Sequence, residues 1–135
     1  MPGRASAVAA GGELVRAVAD LGRSLGLESR EQVRVGKRIW GAVRCIDVVL
    51  TSPTDRKRLG VECKFQGTSG TAEEKIPTTL QDIRAWPIEG LVVFAGEGFS
   101  PHMRSFLLAS GRAVAFEDLE SWLRLFFGLI VRQWT

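Results

Sequence analysis

Apolar residues recur at the helical period near the start of the chain. Leu14, Val18, Leu21 and Leu25 share one face, as in a helix that buries a single stripe. A first helix is expected over residues 12–25, with Gly26 as its stop. The period then shortens to two. Over residues 32–40, Val33, Val35 and Ile39 are interleaved with Arg34, Lys37 and Arg38, which predicts a strand, with Gly36 marking a bulge. Two more apolar strands follow, near 43–51 and 58–66. The short polar turn Ser52-Pro53-Thr54-Asp55 joins them as an antiparallel hairpin.

Beyond the Gly/Ser/Thr loop 67–71, Thr71-Ala72-Glu73-Glu74 fits a capping box that opens a helix, with Pro77 marking a restart near its first turn. Residues 90–95 are apolar without alternation, as expected for a strand covered on both faces. Ser100-Pro101 starts a short helix that Gly111 ends, and 112–116 form another strand. A final helix is expected over 117–132, with Leu119, Trp122, Leu123, Phe126 and Ile130 as its apolar stripe. This order of hairpins and crossovers predicts an α/β fold of mixed character, a central mixed β-sheet flanked by helices.

Three charged residues interrupt the apolar strands. Asp47 lies in Cys45-Ile46-Asp47-Val48-Val49-Leu50, and Glu62 and Lys64 lie in Leu59-Gly60-Val61-Glu62-Cys63-Lys64-Phe65. A strand alternates faces, so Glu62 and Lys64 project together, and the hairpin can bring Asp47 beside Glu62. Burying such groups is costly unless something pairs with them. Two carboxylates and an ammonium at one place point to a divalent metal and a hydrolytic site.

Composition narrows the partners. With 135 residues, 45% hydrophobic and 24% charged, a single domain over 1–135 is expected, with 1–11 a loose Ala/Gly-rich start. The net charge of +3 is compatible with a polyanion. Arg34, Lys37, Arg38 and Arg44, with Arg56, Lys57 and Arg58, are the candidates for phosphate contact. No aromatic platform alternates with basic residues, which argues against a single-strand binder. The most apolar run, 122–131, is too short for a bilayer and contains Arg124, so no membrane span is read. Cys45 and Cys63 would face opposite sides of the hairpin and cannot easily bridge, which favours a reduced, cytoplasmic setting. Two cysteines and one histidine, His102, cannot build a four-ligand zinc site. Trp122, Phe126, Phe127 and Trp134 are numerous for so small a domain, and a homodimer is expected to use part of that surface.

Helix, strand, Asp47 strand, Glu62-Cys63-Lys64 strand, helix and strand together resemble the PD-(D/E)XK nuclease superfamily, the restriction-endonuclease-like fold, over roughly 12–95. Glu13 in the first helix is similar to an acidic residue many members carry there, and Gln66 to a residue found in some branches. Ile46 stands where the family name has proline, a position without a direct chemical role. The resemblance implies a Mg²⁺-dependent DNA endonuclease, with Mn²⁺ able to substitute, that hydrolyses phosphodiester bonds by a metal-activated water. Asp47, Glu62 and the Cys63 backbone carbonyl would ligate the ion, since a hard cation takes oxygen ligands. Lys64 would orient the attacking water and offset developing charge. Glu13 would orient water or help hold a second ion, and Gln66 would position water or phosphate. A Holliday-junction resolvase-type nuclease and a non-catalytic DNA-binding or interaction module share most of these features.

Overall fold

The computed structural model describes residues 11–37, 43–67 and 75–129. The first helix, α1 (Gly11–Ser24), is followed by three strands, β1 (Glu28–Lys37), β2 (Val43–Thr51) and β3 (Arg58–Phe65). Then come α2 (Ile76–Arg84), β4 (Glu89–Ala95), α3 (Pro101–Ala109), β5 (Ala113–Ala115), a 3₁₀ turn over Phe116–Asp118 and α4 (Leu119–Phe127). The strands form one five-stranded sheet in the order β1-β2-β3-β4-β5. The β1–β2 and β2–β3 pairs are antiparallel, whereas β3–β4 and β4–β5 are parallel. The parallel pairs need crossovers, and α2 and α3 supply them.

Side-chain alternation sorts the core into two layers. On one face Leu14 and Val18 of α1 meet Val48, Leu50, Leu59, Val61, Leu91 and Val93, with Leu119 and Leu123 of α4. On the other, Ile76, Leu80 and Ile83 of α2 and Leu107 of α3 meet Val92 and Phe94. β4 feeds both layers, which is why its sequence is apolar without alternation. α1 lies tight on the first face. A Cβ on Gly22 would sit 2.5 Å from Leu50 Cδ2, so only glycine allows that approach. On the second face Trp86 lies over Gly60 and Gly90, register partners on β3 and β4. A Cβ on Gly60 would meet the indole at 2.9 Å.

Several expected boundaries shift for identifiable reasons. β1 begins at Glu28, four residues earlier than its alternation suggested. It is an edge strand, where polar residues at every position are tolerated and even useful; pairing of Glu28 to Glu31 with Thr51 to Val48 extends it. The expected irregularity at Gly36 is present as a register shift between Arg34 and Gly36. α3 starts as read, with Ser100 accepting a hydrogen bond from the Met103 amide at 3.1 Å. α4 stops at Phe127 because Gly128 adopts φ 65°, and the Leu129 amide returns to the Arg124 carbonyl at 2.9 Å. The capping box at 71–74, Ile130 and Trp134 lie outside the described residues; the residue preceding α2 is Lys75, with Pro77 in the first turn. Among the described residues no helix is long and apolar enough to cross a membrane.

Candidate active site

The site lies where the sheet forks. The β2–β3 ladder runs from Thr51↔Arg58 to Val48↔Val61 and stops there. Earlier residues of β2 remain paired with β1, and later residues of β3 with β4. Asp47 and Glu62 are the first residues of the two diverging arms. Asp47 shares its face with Val49 and Thr51, and Glu62 with Gly60 and Lys64, away from α1. Across the fork the Cys63 amide donates to Asp47 Oδ2 at 2.9 Å, taking a carboxylate in place of a strand carbonyl. Gln32, opposite Asp47 on β1, donates through Nε2 to Oδ1 at a long 3.5 Å. Its backbone has φ 52°, uncommon for a residue other than glycine. Asp47 is thus held from both neighbouring strands.

Glu62 sits in a different environment. Burial raises its pKa from 4.5 to about 7, the Asp47 charge beside it adds to the rise, and the Lys64 ammonium opposes it. Lys64 Nζ lies 3.7 Å from Glu62 Oε2, and both side chains are about one quarter exposed, at 26% and 23%. Glu62 Oε1 is buried and accepts no hydrogen bond among the described residues. Two carboxylates this close disfavour joint ionisation, and a cation between them would relieve that cost. The donor set therefore fits a hard divalent ion. One or two carboxylates suffice for Mg²⁺, which keeps most of its water. Among the described residues no group of three or more His, Cys, Asp or Glu gathers as a metal cage would require.

The remaining expected residues fall into place differently. Gln66 is buried, donates through Nε2 to the Gly98 carbonyl at 2.8 Å, and leaves Oε1 unpartnered among the described residues. Its backbone bonds Ala95 and Gly98 as well, so it ties the loop after β4 to the end of β3. Gly96, with φ 102°, passes so close that a Cβ would lie 2.3 Å from the Gln66 carbonyl oxygen. Glu13 is exposed in the first turn of α1, on the helix that packs against the other face. Cys45 is exposed, Cys63 packs against the α1 layer, and both are free. Burial raises the Cys63 thiol pKa well above its ordinary value, with Asp47 and Glu62 adding to the shift. A raised pKa disfavours the thiolate, the nucleophilic form.

Of the basic candidates, Arg34, Arg56 and Arg58 line a groove beside the site. Lys57 turns to the α4 side, donating to the Phe126 carbonyl at 2.6 Å with its ammonium 4.3 Å from the Phe126 ring centre. Arg38 lies outside the described residues. Gln32 and Arg30 were missed in the sequence. Both are ordinary polar residues of an edge strand until the β1–β2 register sets them around Asp47, with Glu31↔Val48 and Val33↔Ile46 on either side.

The PD-(D/E)XK nuclease superfamily domain matches residues 10–124, most of the chain, and the chain belongs to that superfamily. Membership suggests a nuclease-like hydrolase acting on nucleic acid. No curated protein matches the chain. Its fold is similar to the crystal structure of the protein of unknown function AF1548, with a TM-score of 0.52 and 20% sequence identity over 76% of this chain and 56% of that one. The matched region spans little more than half of that chain, and the likeness concerns fold alone.

Proposed function

We propose that this protein is a divalent-cation-dependent DNA endonuclease that hydrolyses phosphodiester bonds with water as the nucleophile. The observation that carries the reading is the buried, donor-less Oε1 of Glu62 set against Asp47 and Lys64 at the sheet fork. Nothing in a purely structural ion pair calls for two carboxylates to crowd each other out of water. Asp47, Glu62 and the Cys63 backbone carbonyl are the residues that would hold Mg²⁺, or Mn²⁺ in its place. When bound, the ion would neutralise charge on the phosphoryl oxygens and lower the pKa of a water ligand. The chain supplies the rest. Lys64, 3.7 Å from Glu62, would donate to the attacking water and offset charge developing on the phosphoryl group. The Cys63 amide and Gln32 keep the Asp47 carboxylate in one orientation. Gln66 anchors the 96–98 loop at the end of the site, its Oε1 able to accept from a water. Glu13, on the helix that packs against the opposite face of the sheet, is given no part in this step.

Incubation with plasmid and linear DNA is expected to show cleavage with Mg²⁺ or Mn²⁺ that vanishes in chelator and in Lys64→Ala. Calorimetry should show Mn²⁺ binding by the wild type. A protein that neither takes up Mn²⁺ nor cuts DNA in either ion would overturn the reading.

The working form proposed is a homodimer in a cytoplasmic, reducing setting that suits two free thiols. Trp122 stacks on Phe126 on α4, beside Leu125, which is 82% exposed. Light scattering at micromolar concentration should return twice the chain mass, and a monomer there removes the dimer.

A further inference from the structure

On the face of the sheet that carries Asp47, a groove of about 440 Å³ runs alongside β1 and β2. Arg30, Arg34, Arg56 and Arg58 line it, with Val49 and Ile88 among its apolar lining. The position is set by register. Arg30 pairs with Val49 and Arg34 with Cys45, so the two arginines bracket the Gln32–Asp47 position on the edge strand. Arg58 pairs with Thr51 at the far end of β2. Val49, in its lining, is the next same-face residue after Asp47, about 7 Å along the strand.

The charge in this groove is poorly compensated. Arg56 is held by Glu28 at 3.1 Å. Arg30, Arg34 and Arg58 make no ion pair or hydrogen bond through their side chains among the described residues, and all three are exposed. Lys57, between two of the groove residues in sequence, points to the opposite face. Guanidinium groups lining one groove repel one another, and an anion that spans them turns that repulsion into attraction. Guanidinium forks also match phosphate oxygens in pairs. A groove lined by four arginines and by apolar residues, one of them next to Asp47 in sequence, fits the sugar-phosphate backbone of a substrate strand.

We infer that the Arg30/Arg34/Arg56/Arg58 groove binds the backbone phosphates of duplex DNA on one side of the bond to be cut, without reading sequence. The identity of the polyanion rests on the nuclease reading; the groove itself does not require catalysis. Binding is therefore measured in chelator, where no cleavage occurs, by fluorescence anisotropy of a short labelled DNA duplex across a series of salt concentrations.

Wild type should bind, with affinity falling steeply as salt rises. Arg30→Ala/Arg58→Ala should bind at least about tenfold more weakly, and its salt slope should be shallower by about 2, close to one unit for each phosphate no longer neutralised. Glu28→Gln should bind more tightly, because Arg56 is released and a negative charge removed. Arg112→Ala, at the opposite edge of the sheet where Arg112 pairs with Glu89, should match wild type. The inference fails if wild type does not bind, if the double variant binds as wild type does, or if Arg112→Ala loses as much. Arginine-dependent binding without cleavage in any divalent ion would keep the groove and remove the nuclease reading, while cleavage indifferent to the arginines would do the reverse.

Discussion

Asp47→Asn is expected to slow cation-dependent DNA cleavage by about 10²–10³-fold, the loss typical when one preorganised charge-stabilising group is removed. The substitution is chosen for what it preserves. Asparagine keeps an oxygen where Asp47 Oδ2 accepts the Cys63 amide, so the fork between β2 and β3 should stay closed at that point. Alanine would leave that amide without its carboxylate and confuse a catalytic loss with a structural one. What asparagine removes is the negative charge. A cation held by two carboxylates then has one, and Mn²⁺ affinity should fall alongside the rate. Plasmid cleavage followed over time, paired with calorimetric Mn²⁺ titration and a thermal melt, reads the three effects separately. An unchanged cleavage rate would remove Asp47 from the site.

Glu62→Gln is expected to stabilise the cation-free protein while abolishing cleavage. The folded chain holds Glu62 with a pKa of about 7 against an ordinary 4.5, because burial and the Asp47 charge favour its neutral form. Between those two values the folded state binds more protons than the unfolded state, so this group's contribution to stability falls as pH rises through that window. Below the window the contribution is complete, and above it is lost. Glutamine is neutral at every pH and escapes the loss. The melting temperature of Glu62→Gln above neutrality should exceed that of wild type by on the order of 5 °C, with little difference under acidic conditions. Adding Mn²⁺ should reverse the order, since an ion that binds the folded state raises its melting temperature only where the carboxylate remains. Differential scanning calorimetry at acidic and alkaline pH, with and without Mn²⁺, tests all four corners. A variant less stable than wild type at alkaline pH without metal would show that the ionised Glu62 carries no burial cost there.

The two carboxylates differ in their surroundings. Asp47 accepts from a backbone amide and a glutamine, whereas Glu62 lies against the Asp47 charge, with the Lys64 ammonium at 3.7 Å and one oxygen with no donor among the described residues. A site that holds a charge at a cost to its own fold is a familiar trade between stability and activity. Here the cost falls on one residue, which makes it measurable.

Much of this protein was already decided along the chain. The helical period of Leu14, Val18 and Leu21, the alternation around Asp47 and Glu62, the polar turn after Thr51 and the Ser100-Pro101 start are all local, and each element formed where its neighbours in sequence allowed it. Period two alone puts Glu62 and Lys64 on one face, and a short turn brings Asp47 to theirs. Tertiary structure decided what no local pattern carries. The point at which the β2–β3 ladder stops, the β1–β2 register that brings Gln32 and Arg30 around Asp47, the seat of Trp86 over Gly60 and Gly90, and the tie from Gln66 to Gly98 each join residues distant in sequence. Those arrangements arise from packing two helical layers onto one sheet, and that packing fixes how far neighbouring strands stay together before they part.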